Sequence, residues 1–200
     1  MDNTILKEKI NQAVGILKEK NIDMWLTFVR ESSMMTDPVM DMISGVNSTW
    51  QAALCINKDG DTTAIVGSME EGNFKKPGLY KNIIPYLKSI REPFRDYIAR
   101  KNPSKIAINY SKTSVLGDGL TYGMYQILLD HLEGTEYAKR LVSSEEIISA
   151  LRGRKSQTEV ALMKEAIKET LRIFDEVTHY MTPGMTEIEI ANYVRKLHTE

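Results

Sequence analysis

Apolar residues recur at two different spacings along the first part of the chain. From Ile5 to Lys20 they fall at helical spacing, with lysines and glutamates on the opposite face. Asn21 follows, at a place where a left-handed residue often ends a helix, and Met24 to Val29 is the continuous apolar run of a buried strand. A helix that leads directly into a buried strand predicts α/β packing.

A hairpin is predicted next. Gln51 to Asn57 and Thr62 to Val66 are strand-like runs, and Lys58 to Asp61 between them contains Asp-Gly, a strong local hairpin signal. Antiparallel strands in an α/β chain predict a mixed β-sheet with flanking helices. The other elements predicted in this part are a helix from Asp37-Pro38 to Gly45, a helix or loop near Glu70, an edge strand at Ile83-Ile84 interrupted by Pro85, helices Pro93–Arg100 and Leu120–Leu132, and strands Lys105–Asn109 and Tyr137–Val142.

The pattern changes after Val142. An apolar stripe at helical spacing continues from Val160 to Met181, and Pro183-Gly184 ends it. Three capping boxes are predicted, at Ser143/Glu146, Ser156/Glu159 and Thr186/Glu189. We place a boundary near Leu151 to Lys155, which gives one domain over 1–152 and a second over 153–200. Two helices cannot bury such a stripe between themselves, so we expect the second domain to be incomplete.

Composition and charge limit the partners and the location expected for this protein. The formal net charge is −1 and lysines and glutamates are interspersed, so we expect no nucleic-acid partner. The sequence contains no apolar run long enough for a membrane span and no signal peptide, so we expect no membrane partner. The single cysteine, Cys55, lies in a predicted strand and favours a reducing, cytoplasmic location.

No metal site or phosphate loop is predicted from these residues. The three histidines, His131, His179 and His198, lie in separate elements without ligand spacing. Asp37 and Asp41 are interpreted as a cap and a solvated residue rather than a cation site. The Leu-Gly-Asp-Gly-Leu stretch at 116–120 lacks the remaining residues of a nucleotide motif, and predicts a turn into a helix.

Two motifs resemble the opening of a known catalytic domain. Arg154-Lys-Ser-Gln-Thr-Glu159 before a long helix, and Met181-Thr-Pro-Gly-Met-Thr-Glu187 before another, are similar to the start of the pita-bread domain of creatinases, prolidases and X-prolyl aminopeptidases. Upstream, Asp37-Pro38 with Ile43-Ser-Gly45 and a following hairpin resembles the creatinase N-terminal domain. The resemblance covers essentially the whole chain.

The resemblance implies a fold, a chemistry and a state of assembly. The fold is a mixed sheet with a ribonuclease-H-like motif, followed by helices of an incomplete pita-bread α+β domain. The family hydrolyses amide or related C–N bonds with two divalent metals, Mn or Co, held by two aspartates, one histidine and two glutamates. None of these ligands is identified here, so this chain is expected to lack catalytic residues and a cofactor, and to be inactive alone.

By the same resemblance, the segment after Gly45 reaches over the active site of a neighbouring subunit. Asn47 and Trp50 are therefore the candidate substrate-binding residues across a homodimer, with Arg30 as a further candidate beside Glu31. The whole protein would be an aminopeptidase or dipeptidase with a proline-containing peptide as substrate. Two alternatives remain open: a protein-binding relative that has lost catalysis, and a creatinase-like C–N hydrolase.

Overall fold

The computed structural model of the chain describes residues 3–197. Within that range two compact units divide between Lys155 and Ser156. The first unit contains helices α1 (Thr4–Glu19), α2 (Met40–Ile43), α3 (Glu71–Lys75), α4 (Arg91–Lys101), α5 (Tyr122–Leu132) and α6 (Glu145–Gly153). Its strands are β1 (Met24–Val29), β2 (Ala52–Asn57), β3 (Thr62–Gly67), β4 (Asn82–Tyr86), β5 (Ile106–Ile108) and β6 (Leu141–Ser143).

The strands form one mixed sheet in the order β4-β3-β2-β1-β5-β6. The β1/β2 and β2/β3 pairs are antiparallel, whereas β3/β4, β1/β5 and β5/β6 are parallel. Helices α1, α2, α3 and α6 pack on one face of the sheet, and α4 and α5 pack on the other. The predicted fold class, α/β with a mixed sheet and flanking helices, is confirmed.

The central strands are buried along their whole length because both faces of the sheet are covered. Successive side chains alternate between the two cores, so Trp25 belongs to one and Leu26 to the other. Burying one such large side chain stabilises the fold by roughly 1.5–3 kcal/mol. Cys55 is fully buried in β2, within the strand predicted from Gln51 to Asn57.

Two predicted strands differ from those observed. Only Leu141–Ser143 pairs with β5, and the preceding Tyr137–Arg140 is a 3-10 turn. Pro85 lies within β4 rather than interrupting it, since β4 is at the edge of the sheet, where a missing N–H breaks no ladder.

Two predicted helix starts are wrong in their details. Helix α2 begins at Met40, and Asp37 instead accepts a hydrogen bond from the Val39 N–H at 3.0 Å in the turn before it. Helix α6 has Ser144 as its N-cap, so the predicted Ser143 capping box does not form. The Ser143 hydroxyl donates to the Tyr110 carbonyl at 2.5 Å and accepts from the Glu145 N–H at 3.1 Å.

A buried amide, Asn109, joins the parallel strands to the loops around them. Its Oδ1 accepts from the Trp25 indole N–H at 2.7 Å and from the Ser144 hydroxyl at 2.8 Å. Its Nδ2 donates to the Thr27 hydroxyl at 3.1 Å and to the Asp37 carboxylate at 2.8 Å. The side chain therefore links β1, the segment before α2 and the start of α6 from a position just after β5.

The second unit consists of α7 (Gln157–Tyr180) and α8 (Glu187–Leu197) within the described residues. The capping box at Ser156 and Glu159 is confirmed, with N···O distances of 2.7 and 3.1 Å. The same reciprocal pair forms at Thr186 and Glu189 before α8. The apolar stripe of α7 is largely exposed, and Leu171, for example, keeps 63% of its surface.

A glycine is required at position 119, because a Cβ added to this residue would lie 2.1–2.5 Å from the Asp37 carboxylate. We expect Gly119→Ala to lower the free energy of unfolding by about 1–3 kcal/mol, since either the carboxylate or the turn must move. Gly123→Ala is the matched control: nothing lies within 4 Å of its Cβ position in α5, so the change should be neutral or stabilising by up to about 1 kcal/mol. Urea unfolding of both variants measures the difference, and equal effects would contradict this assignment.

Candidate functional site

Arg30 and Trp50 line a single cavity of about 610 Å³ at the end of β1 and the start of β2. Arg30 directly follows β1 and Trp50 precedes β2, and these strands are antiparallel neighbours, with Val29 opposite Ala52. The cavity wall is completed by Tyr86 at the end of β4, His131 in the last turn of α5, and Glu31, Thr49, Gln51, Lys88, Ser89 and Ile90.

The β1/β2 pairing continues beyond the strands and brings the two loops together. The Glu31 N–H donates to the Thr49 carbonyl at 3.1 Å, and the Ser32 N–H donates to the Ser48 carbonyl at 2.8 Å. The Ser32 hydroxyl also accepts from the Ser48 N–H at 2.8 Å. Glu31 has φ of 46°, a left-handed conformation that is uncommon for a residue with a side chain. This turn ends the extended pairing beside the cavity.

A single carboxylate holds the segment that carries Trp50. Glu70 Oε1 accepts from the Thr49 N–H at 2.6 Å. Glu70 Oε2 accepts from the backbone N–H of Trp50 at 3.3 Å and from the Ser48 hydroxyl at 3.0 Å. Hydrogen bonds to an ionised acceptor are stronger than neutral ones. Glu70 therefore fixes the backbone from which the indole projects.

The Trp50 indole rests on a glycine and beside a tyrosine. A Cβ added to Gly67 would come within 2.7 Å of the indole ring, so the ring needs the bare backbone of β3. The Tyr86 ring centroid lies 5.9 Å from that of Trp50, and the Tyr86 hydroxyl donates to the Gln51 carbonyl at 2.7 Å. Burial and the nearby Glu70 charge raise the pKa of Tyr86 to about 12, so its hydroxyl keeps its proton.

His131 contributes a neutral ring to the cavity. Burial, and to a lesser extent the charge of Arg91, lower its pKa below the ordinary value of 6.5. Its Nε2 lies 3.0 Å from Gln51 Oε1, and its ring meets Phe28 edge-on at a centroid distance of 6.0 Å. Because the amide oxygen can only accept, we assign the ring proton to Nε2. The sequence pattern gave His131 no functional role, and it did not predict the position of this residue in the cavity.

Asn47 lies outside this cavity. It lines a separate one of about 650 Å³ with Asn3, Gly45, Val46, Asn73, Lys76 and Pro77. Its Oδ1 accepts from the Ser32 hydroxyl at 3.2 Å. The structure thus brings together Arg30 and Trp50 of the three predicted site residues, and the substrate-binding role of all three stays a prediction.

Asp37 and Asp41 do not form a carboxylate pair. Asp41 is exposed, whereas Asp37 is almost completely buried against Asn109 and Gly119. Burial raises the pKa of Asp37, although its hydrogen bonds from Asn109 and Val39 act in the opposite direction. Asp37 is therefore a buried member of the Asn109 network and not the N-cap of α2.

No metal centre is identified in the part of the chain that the structure describes. Among residues 3–197, no three histidine, cysteine, aspartate or glutamate side chains are grouped as a metal ion would require. His198 lies outside the described residues. Burial raises the pKa of the Cys55 thiol, which disfavours the reactive thiolate. No described helix is both long enough and apolar enough to cross a membrane.

No protein-family model and no curated protein matches the sequence. Solved structures do match. An Xaa-Pro dipeptidase from Bacillus anthracis is 19% identical with a TM-score of 0.59, and 96% of this chain covers 48% of that one. An X-Pro aminopeptidase from Thermotoga maritima MSB8 is 16% identical with a TM-score of 0.58, and 94% of this chain covers 48% of it.

An isolated domain also matches. The N-terminal domain of an Xaa-Pro dipeptidase from Lactobacillus brevis is 16% identical with a TM-score of 0.52, and 70% of this chain covers 98% of that domain. The chain therefore has the fold of these proteins, as the resemblance in its sequence predicted. It spans about half the length of the dipeptidase and the aminopeptidase.

The raised pKa of Asp37 predicts a pH dependence of stability. The folded chain binds this proton more tightly than the unfolded chain, whose carboxyl has the ordinary value of 3.8. The contribution of Asp37 to stability is thus fully present below that pH and is lost as the pH rises through the raised pKa. We expect the free energy of unfolding of the wild type, relative to Asp37→Asn, to fall as the pH rises above 3.8 and through the raised pKa of Asp37. Urea unfolding across this range checks the trend, and a relative stability that rises with pH would contradict it.

The Glu70 carboxylate should hold residues 48–50 in a single conformation. Glu70→Gln keeps one acceptor oxygen but turns an NH₂ group toward N–H donors. We expect amide hydrogen exchange at Thr49 and Trp50 to accelerate about tenfold. This factor corresponds to the free energy lost when a hydrogen bond to a charged group is removed. Glu71→Gln is the matched control, since Glu71 forms an i,i+4 ion pair with Lys75 in α3 and lies outside the segment of residues 48–50. Unchanged exchange in Glu70→Gln, measured by NMR, would refute the role of this carboxylate.

Proposed function

We propose that this chain is the N-terminal, non-catalytic part of a metal-dependent X-prolyl aminopeptidase or prolidase-like peptidase. In this proposal it supports dimerisation and limits access of substrate to the active site of the whole protein. The observation that carries the proposal is the match to an isolated N-terminal domain of an Xaa-Pro dipeptidase, which the chain covers almost completely. The sequence motifs at Ser156 and Thr186, which begin α7 and α8, support the same assignment.

The residues of this chain would bind and orient, and would not carry the chemistry. Two divalent metals, Mn or Co, would activate water and polarise the scissile carbonyl in the whole protein. The described residues offer no ligand set for such a pair, so no step of hydrolysis is assigned to them. In this proposal the chain controls access of the substrate and is not an enzyme by itself.

The surface around Trp50, where the chain enters β2, is the surface proposed to face a second copy. Trp50 keeps 39% of its surface exposed although Glu70 and Gly67 fix its position. Large apolar side chains with high exposure lie on the two segments that contact this loop, namely Met34, Met35 and Met69. A fixed, exposed indole with apolar neighbours is typical of an anchor at an interface. A cytoplasmic homodimer that acts on short proline-containing peptides is the corresponding proposal for the whole protein.

The proposal predicts association without turnover. We expect the purified chain to sediment as a dimer, and Trp50→Ala to weaken the association by about tenfold or more, the loss typical of a buried aromatic anchor. With Mn²⁺ or Co²⁺ added, we expect no release of proline from glycyl-proline. A monomer at high concentration would contradict the dimer. Metal-dependent turnover by the pure chain, lost on chelation, would contradict the non-catalytic assignment.

A further inference from the structure

A buried lysine of helix α1 holds the end of the first unit. Lys9 is 2% exposed, and its Nζ donates to the carbonyl oxygens of Leu151 at 3.0 Å and Arg154 at 2.8 Å. It also donates to Gln12 Oε1 at 3.2 Å. Leu151 lies in the last turn of α6 and Arg154 follows this helix, where backbone carbonyls have no partner within the helix. Lys9 therefore supplies the donors that these two carbonyls need.

Arg154 is held by its other groups as well. Its N–H donates to the Ala150 carbonyl at 2.9 Å, and its guanidinium pairs with both carboxylate oxygens of Glu19, at 2.8 and 2.7 Å. Both side chains of this pair are about half exposed, so it adds less than the buried bonds of Lys9. Lys9 and Glu19 belong to the same helix, and α1 thus fixes residues 151–154 from two positions. We call residues 151–154 the exit segment.

The second unit begins at a helix start that is also held by hydrogen bonds. The Ser156 N–H donates to Glu159 Oε2 at 2.7 Å, and the Ser156 hydroxyl accepts from the Glu159 N–H at 3.1 Å. The Ser156 carbonyl accepts from the Val160 N–H at 2.9 Å. These bonds use the backbone N–H, the carbonyl and the hydroxyl of Ser156, so they fix the first turn of α7.

Lys155 lies between these two fixed points. Among residues 3–197, no hydrogen bond involves its backbone N–H or carbonyl, and its side chain is exposed, with Nζ donating to the Arg152 carbonyl. The division between the two compact units falls immediately after it. Arg154 with ψ of 111° and Ser156 with ψ of 167° are both extended, so no helical turn continues through Lys155. Rotation about the backbone bonds of Lys155 therefore breaks no backbone hydrogen bond of its own.

We propose that the chain bends between its two units at a hinge confined to Lys155, and that Lys9 is the positioning residue that confines it there. Hinges are a few residues at the ends of elements that absorb a change in backbone angles. While the exit segment is bonded to Lys9, only Lys155 is free to absorb that change. Without Lys9 the carbonyls of the exit segment lose their donors, and the hinge extends over residues 151–155. The inference concerns bonds within each unit and does not depend on the proposed function.

Hydrogen exchange at the Arg154 amide measures the order of the exit segment. We expect Lys9→Met, which keeps the length of the side chain but removes its donors, to accelerate this exchange about tenfold, because two hydrogen bonds from a charged group are lost. Amides of β1 and β2 should keep their exchange rates, which shows that the sheet is intact. Lys7→Met is the matched control, since Lys7 is exposed on the same helix.

A second variant keeps this test valid if Lys9→Met does not fold. Glu19→Gln removes only the half-exposed pair with Arg154, so we expect a smaller acceleration of the Arg154 amide, about two- to threefold. Exchange of this amide that neither Lys9→Met nor Glu19→Gln accelerates beyond Lys7→Met would refute the role of α1 in holding the exit segment.

Distances between the two units measure the hinge itself. Spin labels at Lys112→Cys and Lys168→Cys would lie at exposed positions, one in each unit. Native Cys55 is fully buried, so it takes no label in the folded chain. Dilution of the labelled chain with unlabelled chain restricts the measured distances to those within one copy.

Substitutions at Lys155 should change the width of this distance distribution in opposite directions. We expect Lys155→Pro to narrow it, because proline fixes φ and the preceding Arg154 is already extended, as a residue before proline must be. Lys155→Gly should widen it, since glycine has more backbone freedom. Lys9→Met should widen it as well, whereas Lys7→Met should leave it unchanged.

Two results would overturn the hinge: a distribution that does not respond to Lys155→Gly, or one that Lys9→Met and Lys7→Met affect equally. Sedimentation of the same samples separates this inference from the proposed function. A monomer whose distances respond to Lys155 and Lys9 would refute the dimer and keep the hinge. A dimer whose distances respond to neither residue would do the reverse.

Discussion

The arrangement of the first unit depends on the four hydrogen bonds of one buried side chain. Asn109 uses its oxygen twice as an acceptor and its nitrogen twice as a donor, so its amide is saturated and can face only one way. Through these bonds the parallel pair β1/β5 is joined to Asp37 and to the start of α6. Because burying a carboxyl group without hydrogen-bond donors is costly, the bond from Asn109 helps to hold Asp37 in place, together with the bond from the Val39 N–H.

The position of Asp37 also affects the loops that form the cavity beside Trp50. Asp37 orders the turn that begins α2, and the chain then passes Gly45 to reach the segment held by Glu70. That segment carries Trp50 into contact with Gly67 and Tyr86, and the extended β1/β2 pairing places Arg30 beside it. The candidate site is therefore built by backbone bonding of loops to a rigid sheet, with its side chains projecting from fixed points.

Features that depend on residues close in sequence could be predicted. Features that depend on contacts between distant residues, which the fold brings together, could not. The β2/β3 hairpin follows from an Asp-Gly turn between apolar runs, and the Ser156 capping box needs only residues three apart. In contrast, His131 meets Gln51 across 80 positions, and nothing in either local sequence signals the contact. Asp37 was interpreted as a cap because Asp-Pro is locally typical of one. The long-range bond from Asn109 decided its environment instead.

The lone cysteine gives this chain a chemical property that its fold controls. Cys55 lies in β2, with covered strands on both sides and a thiol whose pKa is raised by burial. A thiol reagent can reach it only when the central strands separate, so its rate of modification measures how often the sheet opens. An additional cysteine introduced on the surface would react long before it. The folded protein can thus carry a single label at a chosen position without removal of its native thiol.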